Sequence, residues 1–169
     1  ALRRTAGHTV AGAGPQKVEI WRTRKKTGVA AAVAAAAGSF ASSRVCVVWP
    51  DTVGVAGVEV PGYFLCAALA GLRSGVVPHQ GLTNVEVAGF DDLSRASTFF
   101  NNSHLDTLAS GGVWVVTQTP AGVVYSRHAL TTDVTDVNHR EETVRANVDS
   151  MSYLFLRNLQ PFIGRANVT

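Results

Sequence analysis

The sequence has little charge, almost no lysine and few cysteines. Asp, Glu, Lys and Arg supply only 16% of its 169 residues, against 46% hydrophobic. That balance leaves ample material for a core and excludes a disordered chain. The thin charged shell points either to surface covered by partners or to a deeply packed α/β sheet. Three lysines stand against twelve arginines, a bias suited to contacts that pair bidentately and not to a surface that only needs hydration. Cys46 and Cys66 are the only cysteines, each within an apolar run. Two such residues build neither a disulfide framework nor a metal site, and both are expected to be buried thiols. The alanine-rich run Val29–Ala37 is about half the length a bilayer crossing needs, so no membrane insertion is expected. No signal-peptide pattern is visible. The chain opens at Ala1 without methionine and stops at Thr169 just after helical sequence, which leads us to expect a processed or trimmed piece.

What is present alternates between strand and helix patterns. "KVEIWRTR" (Lys17–Arg24) alternates apolar and polar residues, as a strand with one wet face does. "TGVAAAVAAAAGSF" predicts a helix ending near Gly38, apolar all round and therefore buried. "RVCVVW" (Arg44–Trp49) reads as an interior strand covered on both faces. "PGYFLCAALAGLRSG" predicts a helix closing at Gly75. "TNVEVAGF" is a further strand, and "DDLS" offers oxygens to cap the helical sequence after it. "SHLDTLASGG" is a short helix with a glycine stop. "VWVVTQ" and "VVYSRHAL" flank Thr119-Pro120-Ala121-Gly122, a hairpin with a four-residue loop. The last helix is expected to start at a capping box, Asn138 with Glu141. Along it, Val144, Val148, Met151, Phe155 and Leu159 recur on one face, and Pro161 limits its end. This order predicts an α/β layered sheet with packed helices, followed by an α+β part with a hairpin and a long helix.

The candidate chemistry is weak. Residues 76–95 hold His79, Asp91, Asp92 and Ser94, the residue types of a hydrolytic triad. Aspartates and a serine just after a strand ordinarily shape a turn, however, and a lone loop histidine is seldom a base. "GHTVAGAG" (Gly7–Gly14) resembles the histidine motif of subtilisin-type proteases, and "DTVG" at Asp51 faintly resembles their aspartate motif. His8 precedes Asp51, the reverse of that family's order, and the segment that presents the nucleophile is missing. His104, His128 and His139 lack metal-ligand spacing. "AGAG" is an incomplete dinucleotide fingerprint with no strand before it. The early basic run at Arg22, Arg24, Lys25 and Lys26 has no interleaved aromatics, so direct nucleic-acid binding is not expected despite a net charge of +3. No catalytic residue, cofactor or metal is expected.

Three longer segments carry a resemblance: "GLRSGVVPHQGLTNVEVAGFDDLSR", "LDTLASGGVWVVTQTPAGVVYSRHALTTD" and "NHREETVRANVDSMSYLFLRNLQPFIGRANV". In order and spacing, from about Ser43 to Val168, they resemble the C-terminal half of contractile phage tail sheath proteins. The resemblance implies a subtilisin-like core that is not proteolytic, over residues 1–92. It implies the sheath C-terminal α+β domain over 93–169, without the family's terminal arm. It further implies a structural subunit of the virion tail, assembled in the host cytoplasm. Such a subunit polymerises around a tube and contracts to drive it through the host envelope for genome delivery. The expected partners are other sheath subunits, the tail tube protein, the baseplate and the tail terminator. Arg140, Arg145, Arg157 and Arg165, on or beside the last helix, are the expected contact residues. A sheath from a related contractile injection machine shares this physics. The alternative of another class is an α/β hydrolase or nucleotide-binding enzyme.

Overall fold

A helix, α1, spans 28–38 at the start of the part that the computed structural model describes, residues 28–93 and 100–163. The strand expected at Lys17–Arg24, together with His8, Ser94 and Arg165, lies outside the described residues. Strands β1 (Val47–Trp49), β2 (Thr52–Val55) and β3 (Val58–Pro61) come next, then helix α2 (Tyr63–Gly75) and strand β4 (Val85–Glu86). After them come α3 (Asn102–Ser110), β5 (Val113–Gln118), β6 (Val124–His128), a short helix α4 (Val137–Arg140) and the long helix α5 (Glu142–Leu159). A 3-10 turn at Gln160–Phe162 closes the described chain. The fold is mixed α/β.

Two sheets form. The larger has the order β1-β5-β6-β4, with β1 parallel to β5 and the other pairs antiparallel; β2 and β3 make a separate hairpin. The β5–β6 hairpin lies where its turn residues put it, and its register shifts at Val115/Val116. Five of the six residues of β5 are buried, so "VWVVTQ" is the strand covered on both faces. The covering expected of an interior strand at Arg44–Trp49 is only partial. Among the described residues β1 stands at the end of the sheet, with two of its three residues only half-buried. A continuous apolar run does not by itself say which strand is central. The strand expected over "TNVEVAGF" shrinks to Val85–Glu86, because Asn84 and Gly89 take positive φ (60° and 95°) and leave the extended path.

The core gathers Leu65, Leu69, Leu82, Leu93, Leu105 and Leu108 around β5 and the start of β6. Trp114, buried within it, is matched: its Nε1 donates to Ser126 Oγ at 2.7 Å, which removes the cost of an orphaned donor. The alanine helix forms as expected, but it is not enclosed. Ala30 and Ala37 are buried, Val33 and Ala34 are half-buried, and most of the remaining residues face outward. Alanine is apolar enough to go inside and small enough that leaving it outside costs little, so composition alone overstates its burial. The packed face comes very close to the end of α3. A Cβ built on Gly111 would lie 2.5 Å from Ala34 Cβ and 2.6 Å from its Cα.

Candidate interaction surface

Helix α5 starts from a braced joint. The expected Asn138 cap is corrected: Asp136 caps α4, its side chain accepting from Asn138 N at 3.0 Å. Glu141, expected as the partner in that cap, is extended (φ −85°, ψ 122°) and separates α4 from α5. It is drawn out of the helix by tertiary pairing, forming a bridge with Leu130. Thr131 N donates to Arg140 O at 2.8 Å, Glu142 N donates to Ala129 O at 3.2 Å, and Thr131 Oγ1 donates to His139 O at 2.7 Å. His128 Nε2 meets Glu141 Oε1 at 2.6 Å.

Beyond this joint the helix presents the wrong side to the body. Glu142, Arg145, Ala146 and Asp149 recur at three- and four-residue steps on one face. That face looks onto Arg44, Cys46 and Arg73 across a cleft of about 290 Å³. Arg73 Nε meets Glu142 Oε1 at 3.2 Å, and both side chains are only 16% exposed. Arg44 donates bidentately to Asp149, 2.8 Å at each oxygen, and Arg145 Nη2 reaches the same carboxylate at 2.5 Å. Burial pushes the Glu142 carboxyl above its ordinary range, with Arg73 pulling against it. Asp149 loses some solvation, yet the hydrogen bonds and charges of Arg145 and Arg44 hold it below the usual aspartate range. Cys46, which lines the cleft, is pushed up to about 11 by burial, so its thiol stays protonated and is a poor nucleophile.

The opposite face is apolar and outward. Val144 and Val148 are exposed while their helical neighbours are half-buried. Met151, Phe155 and Leu159 are 51%, 63% and 58% exposed. Tyr153, Leu154, Leu156, Phe162 and Ile163 are exposed as well, and no residue of α5 is buried. A surface helix normally turns its apolar stripe inward; α5 is inverted. The periodicity of the stripe is plain in the sequence. Its direction is set by Arg44 and Arg73, which are remote in sequence and carry no local signal of that role.

Of the proposed contact arginines, Arg140 is half-buried at the joint, Arg145 is engaged with Asp149, and Arg157 is exposed on α5. Asp91 and Asp92 are structural braces. Gly54 N donates to Asp92 O at 2.6 Å, Asp91 N to Gly54 O at 3.1 Å, and Gly57 N to Asp91 Oδ2 at 3.1 Å. They hold the β2–β3 hairpin, and among the described residues the helix after them, α3, is capped by Asn101, which accepts from His104 N at 3.0 Å. The expectation that both cysteines are buried is corrected: Cys66 is exposed on α2 and Cys46 is half-buried. His79 sits exposed in a loop. Thr135, Asp133 and His139 do meet, but Thr135 Oγ1 donates to the carboxylate at 2.5 Å while His139 Nδ1 approaches the other oxygen at 3.2 Å. The hydroxyl therefore has no imidazole to take its proton. Among the described residues no cluster of His, Cys, Asp or Glu is placed to hold a metal, and no helix is long and apolar enough to cross a membrane.

The fold is that of contractile tail sheath proteins. The sheath tail protein of Desulfitobacterium hafniense superposes with a TM-score of 0.67 over 78% of this chain and 32% of its own, at 16% identity. A chain of the anti-feeding prophage helical sheath in its contracted state gives 0.62 over 76% of this chain and 36% of its own, at 23% identity. At sequence level the chain is 29% identical over 96 residues to the tail sheath protein of Mycobacterium phage Bxz1, covering 57% of this chain and 16% of that protein. No protein-family model matches. The chain is similar to contractile tail sheath proteins in sequence and in fold, and it spans about a third of the solved sheath chains and 16% of the phage protein.

Proposed function

We propose that this chain forms part of a structural subunit of a contractile phage tail sheath. Such a subunit polymerises around the tail tube and contracts to drive it through the host envelope for genome delivery. The observation that carries the reading is the inverted helix: a long apolar stripe turned outward on a braced joint is a surface made to be covered. The partners in this reading are other sheath subunits first, then the tube protein, baseplate and terminator, in a virion tail assembled in the host cytoplasm. Arg140, Arg145, Arg157 and Arg165 are the proposed contact residues, and Arg157, exposed on α5, would stand at the polar rim of the contact. Residues 1–92 would belong to the subtilisin-like, non-proteolytic core and 93–169 to the C-terminal domain. The larger sheet ties the two, taking β1 and β4 from the first part and β5 and β6 from the second. Contraction would exchange contacts between blocks that keep their shape.

The likeness to a contracted anti-feeding prophage sheath favours a second reading, a sheath of a related injection machine. Electron microscopy of particles carrying Phe155→Glu and Leu159→Glu tests the role common to both. Loss of striated tubes is expected, and tubes of normal number and length would overturn it. A hydrolytic activity of the purified chain would favour the enzyme alternative.

A further inference from the structure

We propose that α5 is a lever held against the body by a breakable ion-pair latch, and that the Glu141 joint is its pivot. The inference concerns the chain alone and does not need the sheath reading. The pivot is fixed by backbone hydrogen bonds at Arg140 and Glu142 and by the Leu130–Glu141 bridge. One ion pair, Arg73–Glu142, lies directly at it and is nearly enclosed, with 16% exposure on each side. The other, Arg44–Asp149, lies seven residues farther out, where Arg44 is 63% and Asp149 37% exposed. A shielded pair beside the axis acts as a pin. A bidentate pair open to solvent holds its geometry but is screened by salt, which makes it a latch. Among the described residues that line the cleft, only the small side chains of Cys46 and Ala146 add apolar contact to it, since α5 turns its apolar stripe away from the body. With a rise of 1.5 Å per residue, Asp149 sits roughly 10 Å and Leu159 roughly 25 Å from Glu142 along the axis. A tilt of about 10° at the pivot therefore carries the tip roughly 4 Å.

Spin labels at Ser110→Cys on the body and Asn158→Cys near the tip measure this, with Cys46→Ala and Cys66→Ser removing the native thiols. Labelled chains are diluted into unlabelled ones, so only intramolecular distances count and assembly does not interfere. At low salt one narrow distance distribution is expected. Arg44→Ala with Asp149→Asn, or about 0.5 M NaCl on the unsubstituted latch, is expected to broaden it by several ångströms or add a second population, with far-UV circular dichroism unchanged. A distribution that stays narrow in high salt overturns the proposal, because something else then holds the helix. A distribution already broad at low salt overturns it too. If the double variant loses its helical signal, the salt titration alone decides.

Discussion

Replacing Met151, Phe155 and Leu159 together by glutamine separates two quantities that usually fall together. Glutamine is nearly as good a helix former as the residues it replaces, so the helix itself is expected to survive. Each of the three side chains still exposes between 51% and 63% of its surface in the isolated chain. Fully burying such a side chain is worth about 1.5–3 kcal/mol. Covering the remaining half would contribute about 1 kcal/mol each, or about 3 kcal/mol for the three. An association that covers the stripe should therefore weaken by about a hundredfold, while the free energy of unfolding changes by less than about 0.5 kcal/mol. Sedimentation over a concentration series reads the first quantity and urea denaturation the second. Leu108→Ala provides the contrast, since Leu108 is fully buried and its loss should cost about 2–5 kcal/mol. If the triple variant lost stability on the scale of Leu108→Ala, the stripe would be packed on the body and the inverted geometry would be wrong.

Three other outcomes are expected. Gly111→Ala should destabilise by about 1–3 kcal/mol through overpacking, seen as a lower denaturation midpoint. Its φ is an ordinary −86°, so a neutral result would mean that α1 does not press there. Thiol reagents at pH 8 should modify Cys66 much faster than the half-buried Cys46, because a thiol with a pKa near 11 is about one part in a thousand ionised; mass spectrometry of timed samples reads this, and equal rates would contradict the packing around Cys46. Acid should weaken the fold through Asp133 and Asp149. Thr135, by side chain and backbone, chiefly holds Asp133 low, and Arg145 and Arg44 hold Asp149 low against desolvation. A depressed pKa contributes stability above the unfolded value of about 3.9 that is lost as pH falls through the folded one. Glu142, raised by burial, works the other way, its contribution fading as pH rises through its folded pKa. Asp133→Asn with Asp149→Asn should therefore flatten the low-pH arm of a stability profile, and an unchanged arm would refute the assignment.

Elements whose signals are local are legible in the sequence: the Thr119–Gly122 hairpin, α3 with its glycine stop and α2 ending at Gly75. The resemblance to sheath proteins is legible as well, because order and spacing survive where identity does not. Several of the departures share one cause, which is that distant residues decide them. Glu141 has the pattern of a helix residue, but Leu130 claims its backbone. Asn138 has the pattern of a cap, although Asp136 stands two positions earlier. The α1 alanines have the composition of a core, but a helix learns how many of its sides are covered only from its neighbours. The stripe from Val144 to Leu159 is plain in the spacing. That it points outward is a consequence of Arg44 meeting Asp149 across 105 positions, and no local pattern announces such a pair.

The break at Glu141 has an evolutionary reach beyond its local shape. Rotational phase along α5 is counted afresh from Glu142, so residues gained or lost upstream of the interruption need not alter the heading of the apolar side chains. One residue added or removed between Asp149 and Met151 would swivel everything beyond by about 100°, carrying Phe155 and Leu159 off their bearing while leaving the ion pairs at the root undisturbed. The loop before the joint is thus free to drift in length, and the helix after it is not.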